Sequence, residues 1–345
     1  MEKIKSDYFG GISILRVLLT FEVILVHFWT NSEDYFILKP FNFLRKCAVP
    51  TFMLLSFFLT EKHICNPTWK KGINRIKRLG IPFVVWGGFN WLFLMLVEEV
   101  FKLELIDGLS ALFWQLITGH AYHVNAPMWY IVSLMYLTVI YMVVFKICNK
   151  KAGLIIINGL LVLSLIFQYS GLNYRLFNGL VFELKYPLGR FVEMIPFAAC
   201  GIDLAHFKYF DNLSNYRILS IVVSVFLLII LSVMNMANII PTPERFSYGG
   251  IFLILMAILL LTVAMLFSFE KFPEKTRKYF GKICSHTLGI YCTHYLVGNT
   301  LFMLLSKKSG IVTGGFYWSI IIYLICWILC EFLAKIHVSL GKLVD

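Results

Sequence analysis

Apolar residues run along this chain in blocks of about twenty, separated by short basic or aromatic stretches. Ten blocks can be marked: 10–30, 41–60, 79–99, 127–147, 152–170, 188–206, 217–236, 249–267, 286–305 and 314–335. A bilayer-spanning helix needs about 20 predominantly apolar residues. The pattern therefore predicts an all-α, polytopic integral membrane protein with about ten transmembrane helices. Between the third and fourth blocks, 107–119 (DGLSALFWQLITG) is too short to span and predicts an interfacial or re-entrant helix, N-capped by Asp107 or Ser110. No internal repeat is visible, which argues against an inverted-repeat transporter. The first block is too long and too polar for a cleavable signal peptide. Residues 1–345 read as a single membrane-embedded domain, with no soluble stretch long enough for a second.

Composition agrees. The chain is 59% apolar and 14% charged, against about 45–50% and about 25% in soluble domains. Its net charge of +12 would suggest a nucleic-acid partner in a soluble protein; here it reads as positive-inside topology and attraction to anionic lipid. With the N-terminus inside, twenty Lys and Arg fall on the cytoplasmic side and nine on the other, so both termini are predicted to be cytoplasmic. The eight Cys (47, 65, 148, 200, 284, 292, 326 and 330) lie in or beside apolar blocks without metal-ligand spacing. They read as small buried hydrophobes, and no metal is expected.

What changes the picture is charge inside the blocks. The first carries Arg16, Glu22 and His27, although a charge at mid-bilayer costs roughly 2.5–3.5 kcal/mol on insertion scales. Arg16 and His27 are eleven residues apart, three turns plus roughly 20°, so both lie on one helix face about 16 Å apart along the axis. Arg16 is either an anion clamp at the inner mouth of a cavity or a snorkelling cation. His27 is either a general base for a hydroxyl or a helix-end His bonded to a carbonyl. Glu22 points elsewhere, either to hold another helix's imidazole, to pair with an Arg, or to stay protonated in a tuning role.

Further candidates follow along the chain. The basic run Arg75, Lys77, Arg78 opens the third span, as positive-inside anchors or as contacts for a nucleotide phosphate near Arg16. Trp129 and Tyr130 enter the fourth from outside, as belt aromatics or as a platform for a sugar ring. His120 and His123 precede them and read as solvated. Arg190 and Glu193 share a face of the sixth span, as an internal brace or as substrate contacts. His294 is an intramembrane His in the ninth span and a functional candidate by default, whereas His286 lies at that span's cytoplasmic end.

Taken together these residues resemble the acyltransferase-3 family of integral-membrane acyltransferases that modify cell-surface glycans. LRVLLTFEVILVH (15–27) is similar to the family's first-helix pattern of Arg, ten residues, His. VPTFMLLSFFL (49–59) resembles VP-x-F-x-x-x-SG, and RIKRLGIP (75–82) the basic, proline-ended entry to helix three. PMWYIVSLMY (127–136) and LGIYCTHYLV (288–297) resemble the Trp-aromatic entry to helix four and the IY-x-x-H of helix nine. Two positions depart: Phe57 stands where Gly usually follows the helix-two Ser, and Glu22 where an apolar residue is expected. No segment resembles the soluble esterase-like domain that some members carry.

The resemblance implies an acyl-CoA donor in the cytoplasm, most simply acetyl-CoA, and a hydroxyl acceptor on a cell-surface polysaccharide or lipid-linked saccharide. It implies a bacterial inner (plasma) membrane location. His27 and His294 would be catalytic; Arg16, Arg75, Arg78 and Ser56 would hold the acyl-CoA; Trp129, Tyr130, Arg190 and Glu193 would meet the acceptor. By helical rise, His27 lies near the outer third and His294 nearer mid-depth, a separation that would keep them apart unless helix nine is tilted. A homo-oligomer is compatible with the sequence. The alternative reading is a transporter or flippase for a polar solute, with Arg16, Glu22 and Arg190 lining its path.

Overall fold

The computed structural model describes residues 2–28, 42–101, 108–119, 126–170, 182–236, 248–268, 272–309 and 315–336, with 177, 179, 180 and 239. Nearly all of these residues are helical, and no strand occurs among them. The long helices are α1 (Glu2–Phe28), α2 (Asn42–Cys65) and α3 (Trp69–Phe101). They are followed by α4 (Gly108–Thr118), α5 (Trp129–Ile147), α6 (Lys150–Tyr169), α7 (Phe182–His206) and the short α8 (Tyr209–Leu213). The rest are α9 (Arg217–Met236), α10 (Ile251–Leu266), α11 (Glu274–Ser285), α12 (Thr287–Ser309) and α13 (Phe316–Ile336).

Each of the ten apolar blocks falls on a helix. Among the described residues six segments are long and apolar enough to cross a membrane: Gly10–Phe28, Trp69–Leu96, Trp129–Ile147, Lys150–Tyr169, Tyr209–Asn235 and Phe316–Lys335. The chain is thus a multi-pass membrane protein. The helices outside that set include α2, α7 and α12, which carry Ser56, the Arg190–Glu193 pair and His294. Glu193 and His294 are buried and Ser56 and Arg190 half-buried: α2 packs on α1, α5, α7 and α10, and its interface with α7 is the most extensive between described helices. By contrast α9 leaves Ile218, Leu219, Val222, Phe226 and Ile229 exposed, a surface suited to lipid.

Local signals explain the joints. Asn149 caps α6, its side chain accepting from the Ala152 amide, so α5 and α6 connect through two residues. α3 begins at Trp69, ten residues before the apolar block, because Lys and Arg break apolar continuity but are good helix formers. As a result Lys71, Arg75 and Arg78, at i, i+4 and i+7, share one face of α3, while Lys77 is exposed on another. The segment at 107–119 is helical from Gly108, which places Ser110 inside the helix and not at its cap; Asp107 lies outside the described residues. His120 and His123 also lie outside them.

α1 is central, packing on α2, α10, α11, α12 and α13. The main core joins α1, α2, α5, α7 and α10; a smaller cluster of Ile24, Ile290, Ile322, Cys326 and Cys330 seats α13 against α1 and α12. All eight cysteines are free thiols. Phe57 is fully buried, its ring edge-on to Tyr141 at 5.4 Å. Facing it, α7 carries Gly201, where a Cβ would lie 2.3 Å from the Leu54 carbonyl oxygen and 3.1 Å from the Phe57 Cβ. The small residue at this crossing is supplied by α7, which leaves room for a large side chain after Ser56 on α2.

Candidate functional site

A cavity of about 490 Å³ opens between α1, α2, α3, α5 and α12, within the usual volume of small-molecule sites. Arg16, Lys71, Arg75 and Arg78 line it, with His63 beside them, and among the described residues no carboxylate does. Arg16 Nη2 donates to Thr287 Oγ1 at 2.7 Å. Arg75 donates through Nε to Thr138 Oγ1 at 3.1 Å and through Nη2 to Ser56 Oγ at 3.0 Å. Both threonine hydroxyls pass their own protons to helix carbonyls, Thr287 to Cys284 and Thr138 to Leu134. Each hydroxyl therefore offers a lone pair to its arginine and fixes the guanidinium without cancelling its charge. Phe57 lies under the Arg75 guanidinium at 5.5 Å. The result is a basic cavity with two oriented, unneutralised arginines in a low-dielectric surround, an arrangement that attracts an anion.

The cavity also has aromatic lining, Tyr130 and Tyr291, with ring centroids 5.8 Å apart. The Tyr291 hydroxyl donates to the Pro127 carbonyl just before α5. Beyond Tyr291 lies a second, water-sized void of about 10 Å³, lined by Val23, Val26, His27, Val49, Pro127, Trp129, Tyr248 and Tyr291. Among the residues lining these two spaces, Tyr291 is common to both.

His27 and His294 are in contact, their ring centroids 5.4 Å apart. This corrects the separation expected from helical rise. Thr287, the first residue of α12, already touches Arg16, so α12 begins partway along α1. Seven residues later His294 has reached His27. Gly298 assists: a Cβ there would lie 2.0 Å from the Phe28 ring, so glycine lets the end of α1 close onto α12. His294 is fully buried, and its Nδ1 lies 2.6 Å from the Tyr291 carbonyl oxygen. A carbonyl only accepts, so in the neutral ring Nδ1 carries the proton and Nε2 a lone pair. Nε2 has no protein partner among the described residues.

Trp129 and Tyr130 are both buried, Trp129 at the small void and Tyr130 at the basic cavity. Arg190 and Glu193 form an ion pair at 2.8 Å, and the guanidinium lies over the rings of Tyr186, Tyr248 and Trp129 at 4.7, 4.8 and 5.9 Å. Arg190 thus differs from Arg16 and Arg75: its charge is compensated, and it braces two of the rings that wall the void at His27. Glu22 is on α1 but in neither cavity; its Oε2 is buried without a hydrogen bond among the described residues.

Sequence reasoning did not single out Thr287, Thr138, Tyr291 or Lys71, and it set aside His286 at the cytoplasmic end of its span, where the residue is buried. His286 Nε2 lies 3.0 Å from Glu331 Oε1, and Glu331 also pairs with Lys282 at 2.8 Å. Neutral hydroxyls and tyrosines at bundle positions carry no signal in one sequence, since their partners are set by helix crossings. Among the described residues no group of three His, Cys, Asp or Glu is placed to hold a metal ion.

A family model described as an acyltransferase domain, that of the acyltransferase-3 family, matches residues 9–334. No curated protein and no solved structure matches the chain.

Proposed function

The chain belongs to the acyltransferase-3 family, and we propose that as a membrane O-acyltransferase it moves an acetyl group from cytoplasmic acetyl-CoA to a hydroxyl of a cell-surface polysaccharide or lipid-linked saccharide. The observation that carries the donor assignment is the pair Arg16 and Arg75, both facing one cavity and both held by neutral hydroxyls. An arginine inside a membrane protein is costly, and one left without a carboxylate is matched by an anionic ligand. In this reading Arg16, Arg75, Arg78 and Lys71 hold the CoA phosphates, and Ser56 acts by orienting Arg75. The pantetheine arm runs along α1 toward Tyr130 and Tyr291, which places the thioester beside His27.

His27 takes the proton of the acceptor hydroxyl as its oxygen attacks the thioester carbonyl. The new C–O bond forms, the C–S bond breaks, and the proton held by His27 passes to the departing CoA thiolate. His294, whose ring stands 5.4 Å from that of His27 and whose Nε2 has no partner among the described residues, orients His27 or the acceptor. Trp129 and Tyr248, held by Arg190 and Glu193, form the acceptor side. Apolar walls of Val23, Val26 and Val49 exclude water and spare the thioester from hydrolysis. Ten spans, cytoplasmic termini and a bacterial inner membrane complete the proposal, supported by the ten helical blocks and the twenty-to-nine Lys and Arg bias.

The test uses purified protein in nanodiscs, measuring acetyl-CoA binding and CoA thiol release for wild type, Arg16→Ala and His27→Ala. Wild type is expected to bind and cleave acetyl-CoA. Arg16→Ala should lose affinity by about ten- to a hundredfold, the worth of a charged hydrogen bond. His27→Ala should bind normally and lose turnover. A wild type that ignores both acetyl-CoA and succinyl-CoA overturns the reading.

A further inference from the structure

The two cavities differ in volume by more than an order of magnitude, about 490 against about 10 Å³, and His27 lines only the smaller. The basic cavity could take acyl chains of many lengths. The space against the imidazole could not: a void of about 10 Å³ is close to the least that holds a single water. Its walls are rigid. Val23 stands one turn before His27 on α1, and Val49 immediately precedes Pro50 on α2; both are buried, and β-branched residues are stiff at χ1. Trp129 and Tyr248 are stacked against Arg190, and Tyr291 is tied to Pro127 through its hydroxyl.

We infer that Val23, Val49 and Tyr291 form an acyl-length ruler, admitting a two-carbon acyl group to His27 and excluding longer ones. This rests on the proposed acyl-CoA chemistry and adds to it the residues that choose the acyl group. An acetyl methyl needs about the space of one water, so the methyl alone fills the void, with the carbonyl and sulfur left on the Tyr291 side toward the basic cavity. A propionyl or butyryl chain carries one or two further methylenes, which meet the valine side chains or the Tyr291 ring. Close packing leaves those walls no cheap way to recede. The choice is made at the last step of entry, after the phosphates are already bound, so free CoA and every acyl-CoA share the basic cavity equally.

The experiment measures dissociation constants and thiol release for free CoA and for acetyl-, propionyl- and butyryl-CoA, on protein in nanodiscs. Wild type is expected to favour acetyl- over propionyl-CoA by about ten- to two-hundredfold, the usual discrimination for one methylene in an apolar pocket. Val49→Ala and, separately, Val23→Ala should erase most of that preference and leave the affinity for free CoA unchanged. Val49→Ile should depress acetyl-CoA use while free CoA still binds. Val162→Ala, on the exposed face of α6, is the control and keeps the wild-type ratio. Equal use of all three thioesters by wild type overturns the ruler, as does an unchanged preference in both alanine variants that still use acetyl-CoA. Absence of binding to any acyl-CoA by wild type overturns the donor assignment instead, which keeps the two failures distinct.

Discussion

The imidazole of His294 on α12 stands 5.4 Å from that of His27 on α1, with its Nδ1 fixed against the Tyr291 carbonyl at 2.6 Å. That backbone bond decides which nitrogen carries the proton, and so which one can accept from a neighbouring N–H or O–H. If His294 serves His27 by offering Nε2, the replacement must keep an acceptor at that position. His294→Ala is expected to lower turnover by about a hundredfold or more, within the range of acid–base contributions, and to leave acetyl-CoA affinity near wild type. His294→Gln, which restores an amide oxygen within reach, should recover part of the loss. Single-turnover thiol release separates chemistry from binding in both variants.

Arg75 is forked between Thr138 and Ser56, and a point charge cannot reproduce that geometry. Arg75→Lys keeps the cation but loses the planar fork, and Arg75→Ala loses both. We expect acetyl-CoA affinity to fall in the order wild type, lysine, alanine, with the alanine variant weaker by about tenfold or more. The salt dependence of binding should flatten in Arg75→Ala, since one fewer cation faces the ligand phosphates, and persist in Arg75→Lys. Titrations at two ionic strengths read both effects.

The helices were legible because length and apolarity are local, and ten blocks of about twenty residues leave few alternatives. The alignment of Arg16 with His27 was legible for the same reason, since one helix carries both. Depth was not. The ninth block was marked from residue 286 and α12 starts at Thr287, yet its contact with Arg16 shows that it starts well inside the bundle. The preceding turns belong to α11, a basic amphipathic helix that is invisible to an apolar window. Tyr291 sits within the LGIYCTHYLV motif, but that it is the wall between two cavities depends on where α1, α5 and α12 cross.

Thr287 holds Arg16, and the residue before it, His286, is held by Glu331 on α13. This chain of contacts places α13 behind the basic cavity, whose described lining contains no residue of α13. Thr287→Val removes one hydrogen bond to a charged group whose charge survives, so acetyl-CoA affinity should fall by about two- to tenfold. Glu331→Gln keeps the shape but weakens the grip on both His286 and Lys282. It should give a smaller loss of affinity with an unchanged rate of thiol release at saturating acetyl-CoA. A drop in the saturated rate would mean that Glu331 reaches the chemistry and not only the Arg16 end of the site.

At Gly201 α7 lies close against α2, and the segment it faces, Leu54–Phe58, contains Ser56. A Cβ at 2.3 Å from the Leu54 carbonyl oxygen meets backbone, which no rotamer change can relieve. Gly201→Ala must therefore push the two helices apart, and Gly201→Val must do so further. Because interfaces between membrane helices are held by close packing of small residues, the separation should cost stability at the upper end of single substitutions, about 3 kcal/mol or more. Thermal unfolding in detergent is expected to show wild type, alanine and valine in falling order. Phe57→Ala in the Gly201→Ala background tests the geometry. Phe57 Cβ is itself near the intruding atom, but the leading clash is with the Leu54 carbonyl, so shortening Phe57 should fail to rescue and should add its own cavity cost. Rescue by Phe57→Ala would show instead that the large side chain after Ser56 sets the spacing of α2 and α7.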